Sequence, residues 1–247
     1  MPVLGYALAV LIGVTLGLLG GGGSILTVPV LVYVMHVDVK QAVPASLVVV
    51  GLTSLVGAYH HWKAGNVHLP AVVAFGPTAV LGSLAGSQVA LRVSGRLQLT
   101  IFAVVLVGAS VRMLMGRGAP DAPAPPITRR PLPLLALLGA GVGVLTGLVG
   151  VGGGFLYVPA LTLAGGLDMK KAVGTSLALI TLSSAAGIAG YLGRVPLDWQ
   201  LIAIFTVLAF AGVALGSRLV RRVSQQGLRR AFAVLMLVMG VLVLIRR

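Results

Sequence analysis

The stretch "GLLGGGGSILTVP", residues 17–29, decides how this chain is read. It lies between apolar runs and carries four consecutive glycines, Gly20 to Gly23, where one unbroken helix is otherwise expected. Each Gly in a helix interior costs roughly 1 kcal/mol relative to Ala, so four in a row end the helix or admit a close backbone approach.

What surrounds the glycines is a membrane protein. The chain has 247 residues, 58% hydrophobic and 9% charged, with a mean hydropathy of +1.08, values a water-soluble domain of this size does not reach. Windows 4–19, 42–59, 69–91, 97–115, 132–149, 172–192, 199–217 and 228–245 have the length and polarity of helices crossing a hydrocarbon core about 30 Å thick. They lack two-residue alternation and are about twice too long for barrel strands. The expected fold is an all-α polytopic membrane protein with about eight transmembrane helices. The opening "MPVLGYALAV" has no basic region and no small-residue cleavage pattern, so it reads as the first span and not as a signal peptide. With no Cys there is no disulfide, thiolate metal site or cysteine nucleophile. The net charge of +14 sits in short loops, where it sets orientation and meets anionic head groups; nucleic acid is not the partner.

The chain repeats itself. Residues 143–177 align without a gap on residues 13–47 at an offset of 130, with 17 identities in 35 positions, among them Pro29/Pro159, Asp38/Asp168, Lys40/Lys170 and Ser46/Ser176. Shared Gly and Leu are common between membrane segments, but the Pro and the Asp-x-Lys in register make this a tandem duplication. "GRGAPDAPAPPITRRPLP", residues 116–133, is Pro-rich and basic, the composition of a flexible linker. The organisation is a first repeat over 1–115, a linker over 116–131 and a second repeat over 132–247. Each half reads as a span, a Gly break, a short apolar piece (25–35 or 155–165), then three spans. If the short piece crosses the membrane, the halves are inverted; if not, they are parallel. Cytoplasmic loops collect Lys and Arg, and the inverted arrangement divides the 18 basic residues 12 to 6, against 10 to 8 for parallel halves. The charges favour inversion.

Gly-rich breaks at membrane depth leave backbone groups unpaired unless protein or a water-filled cavity takes them up, and matched breaks in two repeats point to a transporter's binding site. The glycines end the first helix and expose amides at the start of the next, whose positive end favours an anion. Ser24 suits the N-cap of that helix or a hydroxyl donor to a ligand; its counterpart is Gly154. The competing reading is that the glycines only pack helices together. In "DVKQAVPASL", 38–47, and "DMKKAVGTSL", 168–177, Asp38 and Asp168 suit N-caps, while Ser46, Thr175 and Ser176, near Pro44 and Gly174, fall one to two turns into the next helix. They either face a cavity or bond their own carbonyls.

The acidic residues are Asp38, Asp121, Asp168 and Asp198, with no Glu, so no span has a carboxylate at its centre for proton or sodium coupling. His60 and His61 beside Trp62, and Tyr191 and Trp199, read as an interfacial belt, and Gln88 lies inside a span. No hydrolase or metalloprotease motif is present, so an enzyme is not expected, and no metal or cofactor is implied.

Both halves carry G-x-x-x-G-x-x-G-x-G-G, then V-P-x-L, then A-V-x-x-S-L. This duplicated pattern resembles the TauE/SafE family of sulfite exporters across nearly the whole chain. The resemblance implies a permease of the cytoplasmic membrane that moves sulfite, sulfoacetate or a related small sulfur anion, usually outward. It places the substrate region at Gly20, Gly21, Gly22, Gly23, Ser24, Pro29 and Ser46, and at Gly150, Gly152, Gly153, Gly154, Pro159, Thr175 and Ser176. Uptake of thiosulfate and a non-transporting scaffold stay open as alternatives, as does a homo-oligomer.

Overall fold

A computed structural model describes residues 2–115, 132–150, 154–219 and 223–246, and all regular structure among them is helical. The 116–131 linker, Gly152 and Gly153 lie outside the described residues. In chain order the helices are α1 (Pro2–Leu19), α2 (Gly22–Pro29), α3 (Val39–Lys63), α4 (Leu69–Arg92), α5 (Gly95–Met115), α6 (Leu132–Val149), α7 (Gly154–Pro159), α8 (Met169–Tyr191), α9 (Trp199–Leu219) and α10 (Gln225–Arg246). Six of them, α3, α4, α5, α8, α9 and α10, are long and apolar enough to cross a membrane, while α1 and α6 are apolar but shorter. Eight expected windows thus become six such helices and two pairs of shorter arms.

Local chemistry sets the boundaries. Gly20 and Gly150, with φ of +69° and +74°, end α1 and α6 in a left-handed turn that other residues adopt at a cost. Pro29 and Pro159 close α2 and α7, and a π-helical turn follows each, Val30–Val34 and Ala160–Ala164. Proline has no N–H to continue the ladder, and the chain widens past it into bonds such as Met35 N–H to Val30 O at 3.0 Å and Gly165 N–H to Ala160 O at 2.9 Å. Asp38 and Asp168 are the N-caps of α3 and α8, accepting from the Lys40 and Lys171 amides at 2.8 and 2.9 Å.

The glycines fix the directions of the packed helices. Gly23 lies against Ile12 O and Leu16, and Gly5 against the Met35 thioether, so the arm from α2 through its π turn runs back along α1 as a hairpin. Gly174 meets His61, Gly57 meets Leu177, Gly51 meets Ser184 and Gly187 meets Leu47, so α3 and α8 pack antiparallel through most of their length. Gly13 and Gly17 lie on Ala209 and Val213, making α1 and α9 parallel neighbours; Gly143 and Gly147 lie on Ala79 and Ser83, doing the same for α6 and α4. These are i, i+4 pairs of small residues, the spacing that lets membrane helices approach backbone to backbone. Most glycines therefore serve packing. Large apolar side chains such as Val73, Leu81, Leu137 and Val207 are exposed on the outside, facing where lipid would be.

A methyl group at Gly86 would run into the Val144 carbonyl, whereas one at Gly108 meets nothing within 4 Å. Gly86→Ala is expected to cost about 1–3 kcal/mol by overpacking, and Gly108→Ala to be neutral or to stabilise by up to about 1 kcal/mol. Unfolding midpoints of the two variants in detergent check this.

Candidate functional site

Gly20 and Gly150 both turn the chain at positive φ, and the two dock on matching residues of the other half. The turn at Gly20 sits on the second turn of α8: a Cβ there would lie 2.7 Å from Ser176 Oγ and 3.1 Å from Val173 O. The turn at Gly150 sits on Val43 in α3, and the Ser46 hydroxyl donates to Gly150 O as well as to Val43 O at 2.8 Å. Each break of one half thus closes on the first turns of the other half's central helix. Because α3 and α8 are antiparallel, the two places fall at opposite ends of that pair. Val43 and the α3 residues level with Ser176 are separated by about fifteen residues, or about 22 Å at 1.5 Å per residue. The structure brings Gly20 to Ser176 and Gly150 to Ser46, sets these two turns apart along the α3–α8 pair, and brings the short helices that follow them, α2 and α7, into contact.

Several expectations change here. Ser24 is not the N-cap of α2: that position is Gly21, which has no side-chain cap bond, and the Ser24 hydroxyl donates back to Gly21 O at 2.6 Å. The start of α2 therefore relies on backbone alone, with Gly20 to Ser24 all buried. Thr175 is occupied, accepting the His68 amide at 2.9 Å, and Ser176 donates to Val173 O at 2.8 Å. The Ser176 hydroxyl donates to a ligand only after it turns away from Val173 O, while the bond to Thr175 uses a lone pair and leaves its O–H as a donor. Pro29 is buried in the hairpin arm, and Pro159 stands at the matching bend. Gly154 opens α7.

His61 and Tyr191 do not belong to an interfacial belt. Both are buried, at 2% exposure each, and both reach a backbone carbonyl at the end of a broken helix: His61 Nε2 lies 3.2 Å from Gly17 O, and the Tyr191 hydroxyl donates to Gly147 O at 2.7 Å. The four residues match at the repeat offset. The last carbonyls of a helix lack intrahelical partners, and at membrane depth a neighbouring helix must supply them. His60 and Trp199 remain exposed. Gln88 donates to Gly190 O at 3.2 Å and also pairs with Arg194, a helix-end contact.

Two further polar pieces were not singled out in the sequence. Lys40 sends its ammonium to the carbonyls of Ala90, at 2.6 Å, and Val93, capping α4 from the start of α3. Ser54 and Ser184, again 130 apart, lie buried near the middle of α3 and α8 with hydroxyls that have no hydrogen-bond partner among the described residues, whereas the adjoining Thr53 and Ser183 bond their own helices. The signal for Ser54 and Ser184 was the repeat offset itself, carried past residue 47.

Six apolar helices and a core of broken, mutually capped helices define a multi-pass integral membrane protein. Residues 5–243 match the family described as sulfite exporter TauE/SafE. A probable membrane transporter protein of Xylella fastidiosa is 31% identical over 240 residues, covering 96% of this chain and 92% of its own. Probable transporters of Bacillus subtilis (YdhB, 25% identical, 95% and 96% covered) and Methanocaldococcus jannaschii (MJ0441, 27%, 96% and 95%) are also similar throughout. No solved structure matches the chain. The chain belongs to the TauE/SafE sulfite exporter family, and it is a membrane transporter, not an enzyme.

Loss of the Asp168 cap, in Asp168→Ala, is expected to cost about 1 kcal/mol; Asp168→Asn, which keeps an acceptor, is expected to retain most of it. Thermal midpoints of the purified variants separate the two.

Proposed function

We propose that this protein carries a small sulfur-containing anion, sulfite, sulfoacetate or a related sulfonate, outward across the cytoplasmic membrane, bound between two inverted halves. The observation that carries this reading is the reciprocal docking of each Gly break on the other half's central helix, Gly20 on Ser176 and Gly150 on Ser46. The antiparallel α3 and α8, at matching positions in the two repeats, support inversion, as does the 12 to 6 division of basic residues. In that arrangement each α1–α2 and α6–α7 hairpin crosses and returns, giving an odd number of crossings per half.

The geometry suggests the division of labour. The Gly-break turns are the two ends of a path along α3 and α8, with Ser54 and Ser184 at its middle. Rocking of one half against the other parts Gly20 from Ser176 on one side while Gly150 stays on Ser46 at the other, which is alternating access by interface exchange. Where a break parts, the buried amides at the start of α2 and the freed Ser176 hydroxyl replace the water around an anion's oxygens. The 18 basic against four acidic residues of the chain draw anions to both mouths, within about 10 Å at 0.1 M salt.

The test is thermal stabilisation of the purified protein by sulfite, sulfoacetate, thiosulfate, sulfate and chloride at fixed ionic strength. A ligand at 100 times its Kd is expected to stabilise by about 2.7 kcal/mol, and Ser176→Ala to weaken binding about tenfold, or about 1.4 kcal/mol. A shift with thiosulfate alone selects that anion as substrate; no shift with any anion contradicts the proposal.

A further inference from the structure

We propose that His61 takes up a proton when the anion binds beside the Gly20 break: Nε2–H stays on Gly17 O, while Nδ1 takes a proton from water as the anion binds and returns it to water as the anion leaves. This rests on the anion-transport reading above. The balance is simple, since one proton enters a nitrogen lone pair and departs from it, with no bond to the anion made or broken.

The asymmetry between the two halves is the starting point. A trans cap for the end of a broken helix needs one donor, and Tyr191 supplies one to Gly147 O. At the matching position His61 supplies the same donor to Gly17 O and brings a second nitrogen, Nδ1, which is buried and has no partner among the described residues. Ser217, whose hydroxyl would lie 3.1 Å from a Cβ on Gly17, is also without a partner at its buried Oγ among the described residues, while its counterpart Ser87 donates to Leu84 O at 2.7 Å. Around Gly17, Ser217 Oγ is open where its counterpart on Ser87 is bonded, and His61 Nδ1 is an added polar atom with no counterpart on Tyr191. Leaving buried polar groups unpaired costs stability, so a matched pair of helix ends that differ in this way points to use and not to packing.

Imidazole is the side chain that changes charge near neutral pH, and no carboxylate lies within a span to do so instead. Neutral His61 offers an acceptor at Nδ1. Protonation makes that atom a donor and adds one positive charge under the Gly20 turn, which favours an anion there and, by linkage, makes an anion there favour the proton. Other titratable and charged groups flank it on the elements packed around it, beginning with the adjacent His60. On α8 they are Asp168, Lys170 and Lys171, a turn ahead of Gly174; on α9, exposed Arg218 follows Ser217. In the α3–α4 loop, His68 Nδ1 accepts from the Ala71 amide. On α3 itself, His60 is bonded to Val56 O and Lys63 lies over the Tyr59 ring; α1 contributes no charge. His61 bonds with none of them.

The test is calorimetric titration of the purified full chain with thiosulfate and with sulfoacetate, anions of constant charge between about pH 6 and 8 where imidazole titrates. Repeating each titration in buffers of different ionisation enthalpy reads the protons taken up per anion. Wild type is expected to take up a fraction of a proton that is largest between the pH at which anion-free His61 titrates and the higher pH at which anion-bound His61 does, and that falls toward zero on either side. His61→Tyr, which copies the cap of the other half, and His61→Gln, which keeps a donor toward Gly17 O, are expected to bind anion with no proton uptake. Anion binding without uptake in wild type overturns the proposal and leaves the anion reading standing. Uptake that persists in either folded variant overturns it too, and so does binding of neither anion by wild type, with the anion reading then decided by the sulfite arm of the stabilisation test.

Discussion

Everything in this structure answers one constraint: a helix that stops inside a membrane must have its loose backbone groups taken up by protein. Here α1 and α6 stop at left-handed glycines, and their ends are met from outside themselves, by His61 on Gly17 O, by Tyr191 on Gly147 O, and by Ser46 on Gly150 O. Two of these three donors come from the same half as the break they serve, and Ser46 reaches across to the other half. The breaks are therefore tied both to their own repeat and to its partner, and neither half is complete alone.

The same constraint explains the glycine content, 35 residues in 247. Helices that must bond to each other's backbones have to approach closely, and α1 on α9 and α6 on α4 do so along lines of Gly, Ala and Ser where a single methyl would meet a carbonyl. The packing and binding readings of the glycines are thus not alternatives along the whole chain. Gly13, Gly17, Gly143 and Gly147 pack helices, while Gly20 and Gly150 turn the chain at the places where the halves meet.

Much of this was legible in the sequence. The offset of 130 located the matched breaks, and the Asp-x-Lys motif located the caps of α3 and α8, because an N-cap is a local event that a few residues decide. What was not legible was non-local. Nothing near His61 or Tyr191 says that an aromatic side chain at a helix end turns inward to cap a different helix, and composition alone places both at an interface. Ser24 looked like an N-cap because Gly21 has no side chain to advertise that role. The antiparallel pairing of α3 and α8, which sets the breaks at opposite ends, depends on which of many Gly-lined faces meet.

The central claim is that the two repeats are inverted about the α3–α8 pair, with one Gly break toward each side of the membrane. The chain has no Cys, so single cysteines at Asp38 and Asp168, the caps that open the two central helices, report sidedness on a silent background. Labelling with a membrane-impermeant maleimide in intact cells and in inverted vesicles is the measurement. The account predicts that the two positions label from opposite sides; labelling of both from the same side would contradict it.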